Sequence, residues 1–236
     1  MTEMDDNAPA PAGPHPGYII TDTEGTGLFD YKRGAHEDGQ PRMASLCMIY
    51  VDENLEVERE YSVFIRPDGW EMTEGATKVN GLTNEFLNEH GIPIAEALNE
   101  YSSAVDNGRI LVAHNSQHDA KQIRAELRRA GMDDRFERAP NICTMRALTD
   151  VCKIPPKGNR GGYKWPSLSE ACVFFHMEEF GDHTSKADAY ACLALLRKLK
   201  EMGRLPEPKV HYAKDQPAGR FPPNETPTMP MPENGN

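Results

Sequence analysis

Tyr18-Ile19-Ile20-Thr21-Asp22-Thr23-Glu24-Gly25-Thr26-Gly27 is the stretch on which the fold turns. It opens as an apolar, β-branched run, so it reads as the start of a buried strand. Side chains alternate across a strand, which puts Asp22 and Glu24 on one face. Two neighbouring carboxylates repel unless a cation bridges them or one keeps its proton. Hard oxygen ligands grouped this way suit Mg²⁺ or Mn²⁺. An ordinary acidic strand end running into a Gly-Thr-Gly turn has the same letters, so this segment alone leaves both readings open.

Two further segments carry acids at the junction of an apolar element and a loop, where active sites collect. In Ile110-Leu-Val-Ala-His114-Asn115-Ser-Gln-His118-Asp119 a short buried strand runs out into a helix whose first turn holds Asp119. An acid there also complements the helix dipole with no further role. His183-Thr-Ser-Lys-Ala-Asp188 opens another helix. The Ser185/Asp188 spacing reads as a variant capping box with Ser185 as N-cap. On the functional reading Asp188 faces inward and His183, on the preceding loop, approaches a water molecule. Histidine suits proton abstraction because its pKa lies near neutrality.

Outward from these segments the pattern is mixed. Residues 43–51 and 57–65 read as strands joined by the hairpin signal Asp52-Glu53-Asn54. Helical spacing runs over 93–105, 120–130 (stopping at Gly131), 168–175 and 186–200. Strands linked by a hairpin, followed by alternating helices and strands, predict an α/β domain with a mixed sheet.

The chain of 236 residues suits one large domain with tails. Residues 1–16 hold four prolines and are expected to be disordered, the domain to span 17–204, and the stretch 205–236, with eight prolines from Pro206 onward, to form an extended tail. No run is apolar for long enough to span a bilayer, and the acidic, proline-rich start does not read as a secretion signal. A cytoplasmic protein with no membrane partner is expected. The five cysteines lack zinc spacing and read as reduced core thiols. The net charge of -11 argues against broad electrostatic binding to nucleic acid. It leaves room for an enzyme that grips one strand end, since bound metal ions add positive charge.

Asp22-Thr-Glu24 followed by Gly-Thr-Gly, then His114-Asn115…Asp119, then His183…Asp188, resembles the three exonuclease motifs of the DnaQ-like (DEDDh) family. That family includes proofreading subunits of DNA polymerases, RNase T and oligoribonuclease. Residues 76–83 (ATKVNGLT) resemble its segment between the first two motifs, and Trp165-Pro-Ser-Leu168 the helix start before the third. The match covers roughly residues 17–200.

The resemblance implies a ribonuclease H-like fold, a five-stranded mixed sheet flanked by helices. It implies a 3′→5′ exonuclease releasing 5′-mononucleotides with two Mg²⁺ (or Mn²⁺) ions. Asp22 would bridge both ions, Glu24 and Asp188 would hold one, Asp119 would support the other, and His183 would be the general base. Two ions roughly 4 Å apart stabilise both the attacking and the leaving oxygen of an in-line displacement. Backbone groups at Gly25 and Thr26 would meet the 3′-hydroxyl and Leu28 would wedge beside the last bases, with Asn80 and Asn115 also near substrate. The sequence departs from the family pattern at His118 (commonly aromatic), Asn80 (often histidine), Ser185 (usually alanine) and Gly25 (commonly threonine). These departures leave the metal ligands and the base intact and bear on substrate preference.

The window 151–166 (VCKIPPKGNRGGYKWP) interleaves Lys153, Lys157, Arg160 and Lys164 with Tyr163 and Trp165, which suits single-stranded nucleic acid as well as it suits a plain surface loop. Lys121, Arg124 and Arg128 recur at helical spacing, as a phosphate-facing strip or a solvated face. The expected partner is a single-stranded or frayed 3′ end, DNA favoured over RNA. The alternatives are an exoribonuclease or oligonucleotide hydrolase, or a proofreading subunit whose DNA polymerase supplies the grip.

Overall fold

The computed structural model describes residues 16–134, 139–158, 161–177 and 184–210. Among them, five strands form one sheet: β1 (Tyr18–Gly25), β2 (Met43–Val51), β3 (Val57–Phe64), β4 (Ile110–Ala113) and β5 (Asn141–Cys143), in the order β3-β2-β1-β4-β5. β1, β2 and β3 pair antiparallel, whereas β1–β4 and β4–β5 pair parallel. The sheet is the five-stranded mixed one expected. Because β1 and β4 run the same way, their carboxyl ends emerge at one edge, the usual place for a site in an open α/β sheet.

Helices cover both faces. Ile19 of β1 and Leu111 of β4 pack under α3 (Ile94–Asp106) and α4 (Ser116–Arg129). Ile20 and Val112, one residue on, pack under α7 (Ser185–Glu201), against Ala189, Cys192, Leu193 and Leu196. The period-2 alternation of β1 thus assigns successive side chains to opposite layers. α5 (Thr144–Cys152) and α6 (Leu168–Phe174) close a third cluster against the far end of α7. The short helices α1 (Glu74–Asn80) and α2 (Asn84–His90) follow β3. All five cysteines are buried and unpaired, as expected. Among the described residues no helix is long and apolar enough to cross a membrane.

Periodicity does not announce α1, α2 or α5, which span only two or three turns. Their ends are nevertheless written in the sequence. Thr73 and Thr83 accept from Ala76 N and Phe86 N as N-caps, and Gly81, at φ 73°, closes α1 in the left-handed conformation.

One cap departs from expectation. The N-cap of α7 is Thr184, whose hydroxyl accepts from Ala187 N at 3.2 Å. Ser185 instead turns inward and its hydroxyl meets that of Ser45 on β2 at 2.9 Å. A buried hydroxyl needs a partner, and Ser45 provides one that the exposed cap position would not.

Of the three basic residues at helical spacing on α4, read as a phosphate-facing strip or a solvated face, two turn inward. Arg124 and Arg128 are buried and both bond to Asp134, at 2.6 and 3.2 Å. Burial this deep demands a paired counterion, so the helical spacing that resembled a solvated face marks an internal ion cluster.

The connection from β1 to β2, residues 26–42, is far longer than a hairpin turn and carries its own structure. Gln40 accepts from Asp30 N and donates to the carbonyls of Asp30 and Gly34. Phe29 and Ala35 pack on Ala125 of α4. The connection is clamped by Glu126, which is 2% exposed. Its carboxylate accepts from Arg42 Nε and Nη2 at 2.9 and 3.1 Å, from Arg129 Nη1 at 2.8 Å and from Met43 N at 3.1 Å. Removing Glu126 leaves two guanidiniums without their counterion. Glu126→Ala is therefore expected to destabilise the protein by about 3 kcal/mol in urea unfolding; a change within about 0.5 kcal/mol would show that the clamp contributes nothing.

His114, directly after β4, ties three elements together. Its Nε2 donates to Pro166 O at 3.0 Å, and its Nδ1 lies 3.0 Å from the hydroxyl of Thr144, which can donate to it. This pattern needs the neutral ring, and burial lowers its pKa to about 4. A histidine whose pKa is depressed on folding binds protons better when unfolded, so stability is lost as pH falls from the ordinary value near 6.5 towards 4. Between pH 7 and pH 5 the wild type should lose roughly 1–2 kcal/mol more than His114→Gln. Equal losses would show that His114 is not held neutral.

Candidate active site

Asp22 and Glu24 project from the end of β1 on the face covered by α7, and Asp188 lies in the first turn of α7. One carboxylate oxygen from each falls within 4.8 Å of the others. Asp119, in the first turn of α4, approaches from the other side of the strand. Its Oδ1 accepts from both the backbone N and the hydroxyl of Thr23, at 3.0 and 2.9 Å. The structure thus gathers the four acids of the three motifs. His183, the expected base, lies outside the described residues; it directly precedes the α7 N-cap Thr184.

Each acid is fixed by a separate device. Asp119 is held by Thr23. The start of α7, and with it Asp188, is pinned to β2 by the Ser45–Ser185 bond. Glu24 sits at a bulge where the register skips from Glu24↔Ser45 to Gly25↔Met43, a device that re-aims side chains beside active sites. Asn80, the last residue of α1, places its amide nitrogen 3.4 Å from Glu24 Oε2 and from Gly25 O, while its Oδ1 accepts from Leu82 N. Sequence reasoning placed Asn80 beside substrate; here it is a buried partner of Glu24 that also lines the groove beside that residue.

The electrostatics follow from this crowding. Burial, then the charges of Asp119, Asp188 and Glu24, hold Asp22 well above the usual carboxylate range. Burial likewise raises Asp119 to about 6, against the lowering influence of His118 and of the Thr23 bonds. Two raised acids beside two further carboxylates favour a proton or a cation. The donor set fits divalent cations, since it is all carboxylate oxygen, drawn from both layers.

A groove of about 1050 Å³ opens beside Glu24. Gly25, Thr26, Leu28 and Asn80 line it, as does His118, whose ring packs edge-on to Phe29 at 6.4 Å. Asn115, at the head of α4 with φ 63°, is not among its lining residues. Leu28 is 89% exposed. The Thr26 N–H, expected to meet a 3′-hydroxyl, is instead engaged by Arg42 O at 2.9 Å, and Thr26 O accepts from Thr73 at 2.7 Å. At Gly25 a side chain would meet the Gln122 amide at 3.2 Å and Arg42 O at 3.3 Å, which accounts for glycine after Glu24. Sequence reasoning missed Trp70, Thr73 and Val79 in the lining; the one signal was Trp70, one of only two tryptophans.

None of the described residues of the 151–166 window lines this groove. Lys164 is paired with Glu170, Trp165 is stacked by Arg146 at 5.1 Å, and Tyr163 and Lys153 line a separate, smaller depression. Arg160 lies outside the described residues.

Comparison with known proteins accords with this geometry. Residues 19–196 match the RNase T family model, described as Exonuclease. No curated protein matches the chain. Among solved structures, Escherichia coli exonuclease I in complex with a dT13 oligonucleotide superposes with a TM-score of 0.64 at 18% identity, covering 78% of this chain and 40% of that one. The zinc-ion-bound exonuclease I–single-stranded DNA complex from E. coli gives 0.65 at 18%, covering 80% and 41%. Exonuclease I from Methylocaldum szegediense gives 0.63 at 21%, covering 78% and 40%. The chain spans about two fifths of the length of these structures, and the likeness establishes the shared ribonuclease H-like fold. With the family model running through all three motifs, the chain belongs to the DnaQ-like exonuclease family.

Proposed function

We propose that the protein is a metal-dependent 3′→5′ exonuclease acting on single-stranded or frayed 3′ ends, with DNA favoured over RNA. The observation that carries this reading is the convergence of Asp22, Glu24 and Asp188 within 4.8 Å, with Asp119 beside them. Acids gathered this closely favour a cation, which offsets their repulsion. Asp22, Glu24, Asp119 and Asp188 would hold two Mg²⁺ (or Mn²⁺) ions. When bound, these would supply charge stabilisation to the phosphoryl oxygens and lower the pKa of a coordinated water.

The chain's own residues do the rest. Asn80 and Thr23 orient Glu24 and Asp119 before any ligand arrives, so no reorganisation is needed at the moment of reaction. Leu28, Val79 and Trp70 offer apolar surface to the terminal bases. His183 takes the proton of the attacking water. The water oxygen bonds to phosphorus, the bond to the 3′-oxygen of the preceding nucleotide breaks, and that oxygen takes up a proton from solvent, releasing a 5′-mononucleotide. The preference for DNA is supported by the exonuclease I structures, which were solved with dT13 and with single-stranded DNA.

The deciding assay offers end-labelled DNA and RNA strands of one sequence with Mg²⁺, Mn²⁺ or EDTA. A ladder shortening from the 3′ end only with metal is expected, faster on DNA; metal-independent cleavage would overturn the mechanism. Asp22→Asn should abolish cleavage while raising the Tm of the metal-free protein by about 2–4 °C, as loss of one crowded acid relieves roughly 1 kcal/mol of repulsion. Full activity in Asp22→Asn would sink the metal-site model. His183→Ala should slow cleavage by about 10²–10⁴-fold yet keep the thermal shift produced by Mg²⁺; loss of that shift would mean that His183 acts on the metal rather than as base.

A further inference from the structure

The basic window 151–166 takes no part in the groove beside the acids, yet it contributes to a second surface. A depression of about 510 Å³ lies where α5, α6 and α7 end. Tyr163, Phe174 and Met202 line it with exposed apolar surface. Lys153 and Arg204, both exposed, line it too, and Asp150 is the one acid among its described lining residues. Lys153 and Arg204 make no ion pair among the described residues. Arg42, Arg124, Arg128 and Arg129 differ from them, since each is answered by a carboxylate of the protein. Lys153 also caps α5 in the left-handed conformation, at φ 50°. Glycine usually takes that place, because a side chain there carries a conformational cost.

The depression is linked to the edge of the sheet where the acids gather. His114, directly after β4, donates to Pro166 O. Trp165, next to Pro166, is exposed, with the Arg146 guanidinium 5.1 Å from its ring centre. Arg146 and Lys153 stand about 10 Å apart along α5, and Met202 lies about 21 Å beyond Asp188 along α7. Cationic and aromatic side chains thus succeed one another away from the acids: Arg146 with Trp165, then Lys153 and Arg204 with Tyr163. Surfaces that hold single-stranded nucleic acid combine these two groups, cations for phosphates and ring faces for bases. A strand whose 3′ end is at the acids already lies at this edge, which favours nucleic acid over an acidic peptide as occupant.

We infer that the depression is a distal subsite for the same strand, with Lys153 and Arg204 meeting phosphates and Tyr163 stacking a base. The inference rests on the exonuclease reading of the acids. A separation of about 21 Å corresponds to about six stacked nucleotides at roughly 3.4 Å each. The subsite therefore acts on strands of that length and above and is out of reach of a trinucleotide.

The test compares kcat/KM at fixed Mg²⁺ on a trinucleotide and on a single strand of about 16 nucleotides, as salt rises from about 50 to 200 mM. Lys153→Gly, which suits the left-handed turn, is combined with Arg204→Gln. The double variant should match wild type on the trinucleotide. On the long strand it should lose about five- to tenfold at the lower salt. Its fall with salt, log against log, should be shallower by about 1.4, as two lost phosphate contacts require. Tyr163→Ser should lose roughly fivefold or more on the long strand with the salt slope unchanged. Unchanged long-strand kinetics in the double variant would overturn the inference, leave the depression to a protein partner and leave the exonuclease reading standing. Equal losses on both substrates would show that these side chains act through the fold and would also overturn it. Cleavage of neither substrate by the wild type would overturn the exonuclease reading itself and this inference with it.

Discussion

The mutual repulsion of four carboxylates around Asp22 is the constraint that the rest of the structure answers. An acid surrounded by three others and buried at the end of a strand favours its proton over its charge. The protein holds the group together by anchoring each member to a different element. Thr23 binds Asp119 across β1, Ser45 fixes the start of α7 that carries Asp188, and Asn80 at the end of α1 meets Glu24. No two anchors share a residue. Three elements therefore hold the acids in place independently of one another.

These anchors explain the local choices around the site. The register of β1 against β2 skips at Glu24/Gly25, with Ala44 of β2 as the extra residue, and at Gly25 a side chain would press on Gln122 and the carbonyl of Arg42. The long β1–β2 connection can run beside the site only if its return is secured. Glu126 does this from beneath, binding Arg42 at the point where β2 begins and Arg129 on its own helix. Arg129 in turn donates to Ala35 O within the connection. The wall of the groove is thus tied to α4, the helix that presents Asp119.

Much of this was legible in the letters. Asp22 and Glu24 betray themselves by alternation on an apolar strand, and Asp119 and Asp188 by standing in the first turn after an apolar element or loop. What joins them was not legible. A glutamate among arginines on a charged helix looks solvated, yet Glu126 is buried because its partner Arg42 lies 84 residues away in sequence. Arg124 and Arg128 deceive in the same way. Asn80 carries no sign of its bond to Glu24, 56 residues earlier. Ser185 has the spacing of a cap, and only the presence of Ser45 beneath it decides that Thr184 takes that role. Local pattern locates the acids; long-range pairs hold them.

The same distinction reconciles a net charge of -11 with chemistry on a polyanion. Positive charge near the site is present but inward-facing, serving Glu126 and Asp134 rather than phosphate. On the proposed reading, attraction for a scissile phosphate would come from cations held by the acid cluster. The excess of carboxylate would draw such cations in, so the acidity that would repel a strand is also what would concentrate its counterpart.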